Sequence, residues 1–290
     1  MVQVVLVDQT KHIDPALLHS AAIALNIQAT AHLPAHWSGV SANVTVAPSV
    51  SSIPTGAWPV FLVKSLPPGE GGFHMDKHNQ PYAKVIASPE DQSWTIDASH
   101  EIIEMLVDPY GNRMHASQAI KISGNNVVDG DGVFNYLVEA CDPCEANDFA
   151  YDINGIAVSD FITPNFYDAS VAPNTQYSFQ GNIKRPRQLL PGGYISYVQP
   201  DNNWNQILWV DPKQPPEYYN PQIADGARSM RLAVHQAMGP KLDKAKHYQR
   251  RKKDGLPQHV MASVAAYRAH REQKGRDKSL RAWYGLGSDK

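Results

Sequence analysis

The first 110 residues alternate between strand-like and helix-like patterns, and this alternation restricts the fold more than any other feature. The continuous apolar run Val2–Val7 predicts a buried strand. Asp14 and Pro15 then supply an N-cap and a first-turn proline for a helix over residues 15–32. Three further strands are predicted at Val40–Val46, Val60–Val63 and Tyr82–Ala87. The pattern therefore favours an α+β protein built on a twisted sheet.

The rest of the chain has weaker patterns. A polar loop is predicted over Pro67–Gln80, before the last of these strands. A second helix is predicted from Asp97 to Asp108, because Pro109 disfavours helical geometry in the residue before it. Residues 111–216 are rich in Gly, Pro, Asn and aromatic side chains, which predicts an irregular second half with short elements only.

Composition changes near residue 215, after the proline-rich stretch Pro212–Pro216. Residues 226–290 hold 16 lysines and arginines against 5 aspartates and glutamates, a balance of +11, whereas residues 1–225 hold 10 against 23, a balance of −13. Two helical patterns follow, at Ala227–Met238 and Val260–Gln273. We therefore predict a main domain over residues 1–215 and a basic helical extension over residues 216–290.

Composition also excludes several classes of protein. No apolar run approaches the roughly 18 residues of a membrane span. Val2–Val7 lacks a basic flank and is too short for a secretory signal. Two cysteines cannot form a disulfide framework. The expected setting is therefore not secretory.

The second predicted helix carries the segment with the clearest chemistry. His100 and Glu104 are four residues apart, so both side chains lie on one face of the helix and can reach one ion. Glu101 is next to His100, and the apolar positions around them anchor the helix in a core. This is the H-E-x-x-H zinc helix with glutamate as the second ligand. The alternative is a hydrogen-bonded structural helix without a metal.

A third zinc ligand is predicted in the next acidic stretch, residues 139–145. Glu139 and Asp142 are three apart and share a face if they lie on a helical turn. Glu139 would bind the ion, and Asp142 would accept a hydrogen bond from the far ring nitrogen of His100 and fix its orientation. The alternative is a solvated acidic turn that ends at Pro143.

The strings HEIIEMLVDP, EACDPCE, GIAVSDFITP and PGGY, in this order, resemble zincin-like metallopeptidases of bacteria and bacteriophages that carry the pattern HExxExxxDP. The resemblance covers roughly residues 1–210. It implies a zincin-like fold with zinc held by His100, Glu104 and Glu139. It also implies hydrolysis of peptide bonds through a metal-bound water, with Glu101 as the general base. The glutamate at position 104 departs from the commoner histidine.

Such a reaction needs a hydrogen-bond donor for the oxyanion. The candidates are Tyr151, Tyr167, Tyr194 and His115, of which Tyr194 is favoured because the turn at Gly192 and Gly193 can place its phenol at the rim of a cleft. The alternative for each tyrosine is simple packing in an aromatic-rich region.

Other motifs are given ordinary structural roles. Cys141 and Cys144 are predicted to be buried, rather than a redox or metal pair, and His74 and His78 to lie in a solvated loop. The basic run at residues 244–253 is most simply a solvated charged segment; of its functional alternatives, docking onto an acidic protein surface is favoured over nucleic-acid binding. The alternative function is therefore a non-catalytic structural or virion protein that docks through residues 241–290. A cytoplasmic or virion location follows from either interpretation.

Overall fold

The computed structural model describes residues 1–66, 71–88, 92–223 and 226–238, and it has a mixed α+β fold, as predicted. The first sheet contains β1 (Val2–Asp8), β2 (Ala42–Val46), β3 (Trp58–Val63), β4 (Gly72–Lys77) and β5 (Gln80–Ile86). The second contains β6 (Met114–Ser123), β7 (Asn126–Leu137), β10 (Tyr194–Val198), β11 (Trp204–Leu208) and β12 (Glu217–Tyr219). A small ribbon pairs β8 (Tyr151–Ile153) with β9 (Ile156–Val158). The α-helices are α1 (Pro15–Ile27) and α2 (Trp94–Val107), and residues 230–238 are also helical.

The first sheet has the order β2-β1-β3-β5-β4. Its first four strands are parallel, and β4 is an antiparallel edge strand. A two-residue turn at His78 and Asn79 joins β4 to β5, and both residues have positive φ, as a tight hairpin requires. The prediction of a polar loop over residues 67–80 is therefore wrong where the chain forms β4. Neither turn residue is glycine, so the sequence lacks the usual hairpin signal.

Local chemistry explains where α1 and α2 begin and end. The Asp14 carboxylate accepts the backbone N–H groups of Ala16 and Leu17, so the predicted N-cap of α1 is confirmed. A short π-helical turn, Gln28–His32, continues α1 to the predicted end. The second helix ends at Val107, one residue short of the predicted Asp108, and begins three residues earlier than predicted. Nearly every position of α2 is buried, including Glu101 and Glu104, so the helix carries polar side chains into the interior, where they need partners.

The second sheet is antiparallel throughout and begins with a long hairpin. Its strands β6 and β7 are 10 and 12 residues long, so the prediction of short elements only is wrong for this region. Their exposed faces carry many polar and glycine residues, which hid the strand pattern. Where the structure describes the chain, no helix combines the length and apolar character of a membrane span.

The described part of the predicted extension contacts the second sheet. Strand β12 pairs with β11. Val234 and Met238, in the helical residues 230–238, pack with Tyr194 and Leu208. The predicted domain boundary at residue 215 stays a prediction. The helical pattern at Val260–Gln273 and the basic run at 244–253 lie outside the described residues.

Candidate metal centre

The buried helix α2 brings the predicted histidine and glutamate together. His100 Nε2 lies 3.3 Å from Glu104 Oε2, the contact expected from their i, i+4 spacing. Glu104 is 1% exposed, and its other oxygen, Oε1, accepts the backbone N–H of Cys141 at 3.1 Å. The Cys141 thiol in turn donates to the carbonyl oxygen of His100. These contacts attach α2 to the stretch that carries the second half of the cluster.

Asp142 contacts the same ring nitrogen as Glu104. Its Oδ1 lies 3.1 Å from His100 Nε2, so Asp142 stands on the side of Glu104 rather than behind the ring, where the sequence placed it. The His100 nitrogen and one oxygen each of Glu104 and Asp142 lie within 4.8 Å of one another. Both Asp142 oxygens are buried, and among the described residues neither has a hydrogen bond of good geometry. Three donor atoms around one point, an imidazole nitrogen and one oxygen from each of two buried carboxylates, form a group that suits a cation.

Glu139 lies beside this group rather than within it. It is not on a helical turn with Asp142, because the 3₁₀ turn begins only at Asp142 (Asp142–Cys144). Its Oε2 accepts a hydrogen bond from Ser196 Oγ at 3.2 Å, and Gln206 Nε2 donates to that hydroxyl. The alternative of a solvated acidic turn is wrong, since Glu139 and Asp142 are both buried.

A second group of donor atoms adjoins the first through Glu104. His74 Nδ1 lies 3.3 Å from Glu101 Oε2 and 3.8 Å from Glu104 Oε2. His74 Nε2 lies 3.3 Å from the carbonyl oxygen of Asp108, which can only accept a hydrogen bond. That contact leaves Nδ1 directed at two carboxylates, an arrangement typical of a histidine that binds a metal. The predicted solvated loop is wrong for His74, which is 4% exposed on β4.

Arg231 lies among the carboxylates, and the sequence analysis did not single it out. Its Nη2 is 2.7 Å from Glu104 Oε2 and 3.5 Å from Glu101 Oε2. Its Nε is 3.4 Å from Glu139 Oε1, and Nη1 donates to the carbonyl oxygen of His74. Arg231 carried no motif, because it reaches the cluster through long-range packing. The ligand-like spacing of His74 and His78 was the local signal for His74, but the sequence analysis assigned both to a solvated loop.

The buried charges shift one another's titration. Burial favours the neutral acid, but His100 and Arg231 outweigh it and hold the pKa of Glu104 well below its usual value. Burial alone would raise the pKa of Glu101, but the neighbouring His74 and Arg231 outweigh burial and lower this pKa. Burial and the neighbouring carboxylates raise the pKa of Glu139 and Asp142. The site therefore holds Glu101 and Glu104 as carboxylates beside two histidines and Arg231, whereas Glu139 and Asp142 are driven toward the neutral acid.

Tyr194 is the favoured oxyanion donor of the sequence analysis, and it lies at the start of β10. Burial and the nearby Asp142 and Glu139 raise the pKa of its phenol, so the O–H keeps its proton. Tyr167 is also buried near Glu139. Tyr151 instead hydrogen-bonds Gln28 and His32. His115 stacks on Tyr167.

Two glycines, Gly72 at the start of β4 and Gly193 in the PGGY string, allow close packing at the cluster. A Cβ on Gly72 would lie 2.9 Å from Glu101 Oε1, and a Cβ on Gly193 would lie 2.4 Å from the carbonyl oxygen of Asp142. Cys141 and Cys144 are free and buried, as predicted, and burial raises the pKa of both thiols well above the usual value.

Comparison of the chain with protein-family models, with curated proteins and with solved structures found no match.

Proposed function

We propose that the protein is a zinc-dependent metallopeptidase in which the cluster on α2 holds the ion. The observation that carries this proposal is the convergence of His100 Nε2, Glu104 Oε2 and Asp142 Oδ1 from two separate stretches of the chain. Glu101, a carboxylate outside this set of three donor atoms, follows His100 on the same helix and can take part in proton transfer. The pattern HExxExxxDP supports the same assignment.

The residues present fit a zinc ion. Imidazole nitrogen and carboxylate oxygen are zinc ligands, and a catalytic site needs three of them. His100 and Glu104 are the two ligands from α2. The sequence predicts Glu139 as the third, whereas the interatomic distances favour Asp142. The Asp142 carboxylate is buried and its Oδ1 lies 3.1 Å from His100 Nε2, so a cation bound by this nitrogen would also meet the carboxylate.

Each protein group has a defined task in peptide hydrolysis. A bound zinc ion supplies Lewis acidity and lowers the pKa of water. Glu101 is kept ionised by its contact with His74, so it accepts the proton of the attacking water and delivers it to the leaving nitrogen. Tyr194 keeps its phenolic proton and donates a hydrogen bond to the oxyanion.

The fold also supports a zincin-like assignment. The helix that carries the motif directly follows the mixed sheet β2-β1-β3-β5-β4 and packs against β4 and β5. The antiparallel edge strand β4 brings His74 to Glu101. A buried helix that carries a His-Glu-x-x-Glu motif and packs on a mixed sheet is consistent with the zincin-like fold that we propose.

A second candidate is a non-catalytic structural or virion protein in which the metal joins α2 to the stretch 139–142. The burial of the cluster favours it, because Glu101 and Glu104 are only 4% and 1% exposed. Docking through residues 241–290 stays a prediction, since those residues lie outside the described structure.

Zinc content and peptidase activity of the full chain test the proposal. We expect about one zinc per chain by mass spectrometry of the metal. Glu104→Ala should lose the metal, and Glu101→Gln should keep it but abolish hydrolysis of a mixed peptide library. Glu217→Gln, the same change at an exposed strand residue, is the matched control. A protein that stays free of metal in zinc-containing buffer refutes the proposal, and a zinc protein without hydrolysis favours the second candidate.

A further inference from the structure

Residues 228–231, which we call the strap, are hydrogen-bonded along one side of the cluster. The backbone N–H of Arg231 donates to the carbonyl oxygen of Gly111 at 2.9 Å. Asn112 accepts the N–H of Met230 at 2.9 Å and donates to the carbonyl oxygen of Arg228 at 2.8 Å. The Arg228 guanidinium pairs with Asp76 at the end of β4. The strap therefore connects the turn after α2 with the edge strand.

Gly111 is shaped for this contact. Its φ is +65°, and a Cβ there would lie 2.5 Å from Ser229 Oγ and 2.9 Å from Arg231 Cβ. Only glycine therefore allows the strap to approach the turn this closely.

Arg231 of the strap contacts the same Glu104 oxygen that the proposed metal ion would bind. Arg231 Nη2 lies 2.7 Å from Glu104 Oε2, and the same oxygen lies 3.3 Å from His100 Nε2. Arg231 also contacts Glu101, the proposed general base, and lies 3.4 Å from Glu139. Its guanidinium thus supplies positive charge where a divalent cation would otherwise supply it.

We propose that the strap is an autoinhibitory segment that competes with the metal ion and with substrate. When the strap is seated, Arg231 neutralises Glu104 and Glu101 and covers them. When it is released, the carboxylates are open to zinc and to a peptide. This inference rests on the proposed function and adds its regulation.

Linkage makes the competition measurable without any assay of activity. If the strap lowers zinc affinity, zinc must weaken the seating of the strap by the same factor. Zinc should then speed hydrogen exchange at the amides of Met230 and Arg231, which the seated strap protects.

Two variants of the full chain test the proposal by different routes. Arg231→Gln removes the competing charge but leaves buried carboxylates, which carries a risk of misfolding. Asn112→Ala removes two hydrogen bonds of the strap and touches no group of the cluster. Asn205→Ala is the matched control, since Asn205 also donates to a backbone carbonyl but lies far along the chain in β11.

Zinc affinity is measured by competition with a chromophoric chelator, and hydrogen exchange is measured with and without zinc. We expect affinity to rise about tenfold or more in Asn112→Ala and in any folded Arg231→Gln, with no change in Asn205→Ala. Equal or lower affinity in Asn112→Ala overturns the proposal and makes Arg231 a permanent part of the site. In that case zinc binding and hydrolysis by the wild type would still support the proposed function. Raised affinity with no hydrolysis in any variant would instead support the strap and refute the peptidase.

Discussion

Gly193→Ala is the substitution with the sharpest expected effect on the cluster. Its Cβ would lie 2.4 Å from the carbonyl oxygen of Asp142 and 3.0 Å from the carbonyl group of Pro143. Cβ atoms essentially never come closer than 3.0 Å to another heavy atom, so the backbone at Asp142 must move by about 0.6 Å. The φ of Gly193 is ordinary, so the effect is steric rather than conformational.

The backbone at Asp142 and Pro143 has little freedom to yield. The carbonyl oxygen of Pro143 accepts the N–H of Leu190, which holds this turn against the loop that precedes β10. Overpacking of this kind costs about 1–3 kcal/mol. We therefore expect the free energy of unfolding to fall by about 1–3 kcal/mol, and zinc affinity to fall as well because the Asp142 carboxylate is displaced.

Urea denaturation and chelator competition measure the two effects. Gly130→Ala is the matched control, because Gly130 is also at ordinary φ in a strand, and its Cβ would meet its nearest atom at 3.6 Å. If Gly193→Ala unfolds at the same urea concentration as Gly130→Ala and binds zinc as tightly as the wild type, the assignment of Asp142 to the metal centre is refuted.

Three further predictions follow from other parts of the molecule. Gly72→Ala should shift the Glu101 carboxylate, so kcat/KM for a peptide should fall while zinc content stays at the wild-type level; an unchanged kcat/KM would contradict the role of Glu101. Arg187→Ala should lower the free energy of unfolding by about 1–3 kcal/mol, measured in urea, because the fully buried guanidinium donates to the buried Ser117 hydroxyl and to Asp129; its zinc affinity should not change. Zinc at about 100 times its Kd should stabilise the protein by about 2.7 kcal/mol, a rise of about 5–10 °C in Tm that a chelator reverses.

Local interactions made part of this structure predictable. The contact between His100 and Glu104 follows from helical geometry alone, and Asp14 and Pro109 are direct signals for a helix start and a helix end. Two of the parallel strands, β1 and β3, are nearly continuous apolar runs, so their predicted positions were close to those observed.

Long-range packing decided the rest. His74 faces Glu101 only because β4 pairs with β5, and Arg231 reaches Glu104 across 127 residues of chain. Whether Glu139 or Asp142 approaches His100 depends on how their loop docks onto α2, which residue spacing does not determine. The β6–β7 hairpin was missed because its outer face is polar and glycine-rich.

The two sulfhydryls give the molecule an internal reporter. Cys141 and Cys144 are 0% and 1% exposed and flank Asp142, so a maleimide cannot label them until this stretch detaches from α2. The rate of alkylation in native buffer therefore reports how often the cluster opens locally. Any ligand that holds the acidic stretch against the helix will lower this rate, whether or not the ligand is a substrate.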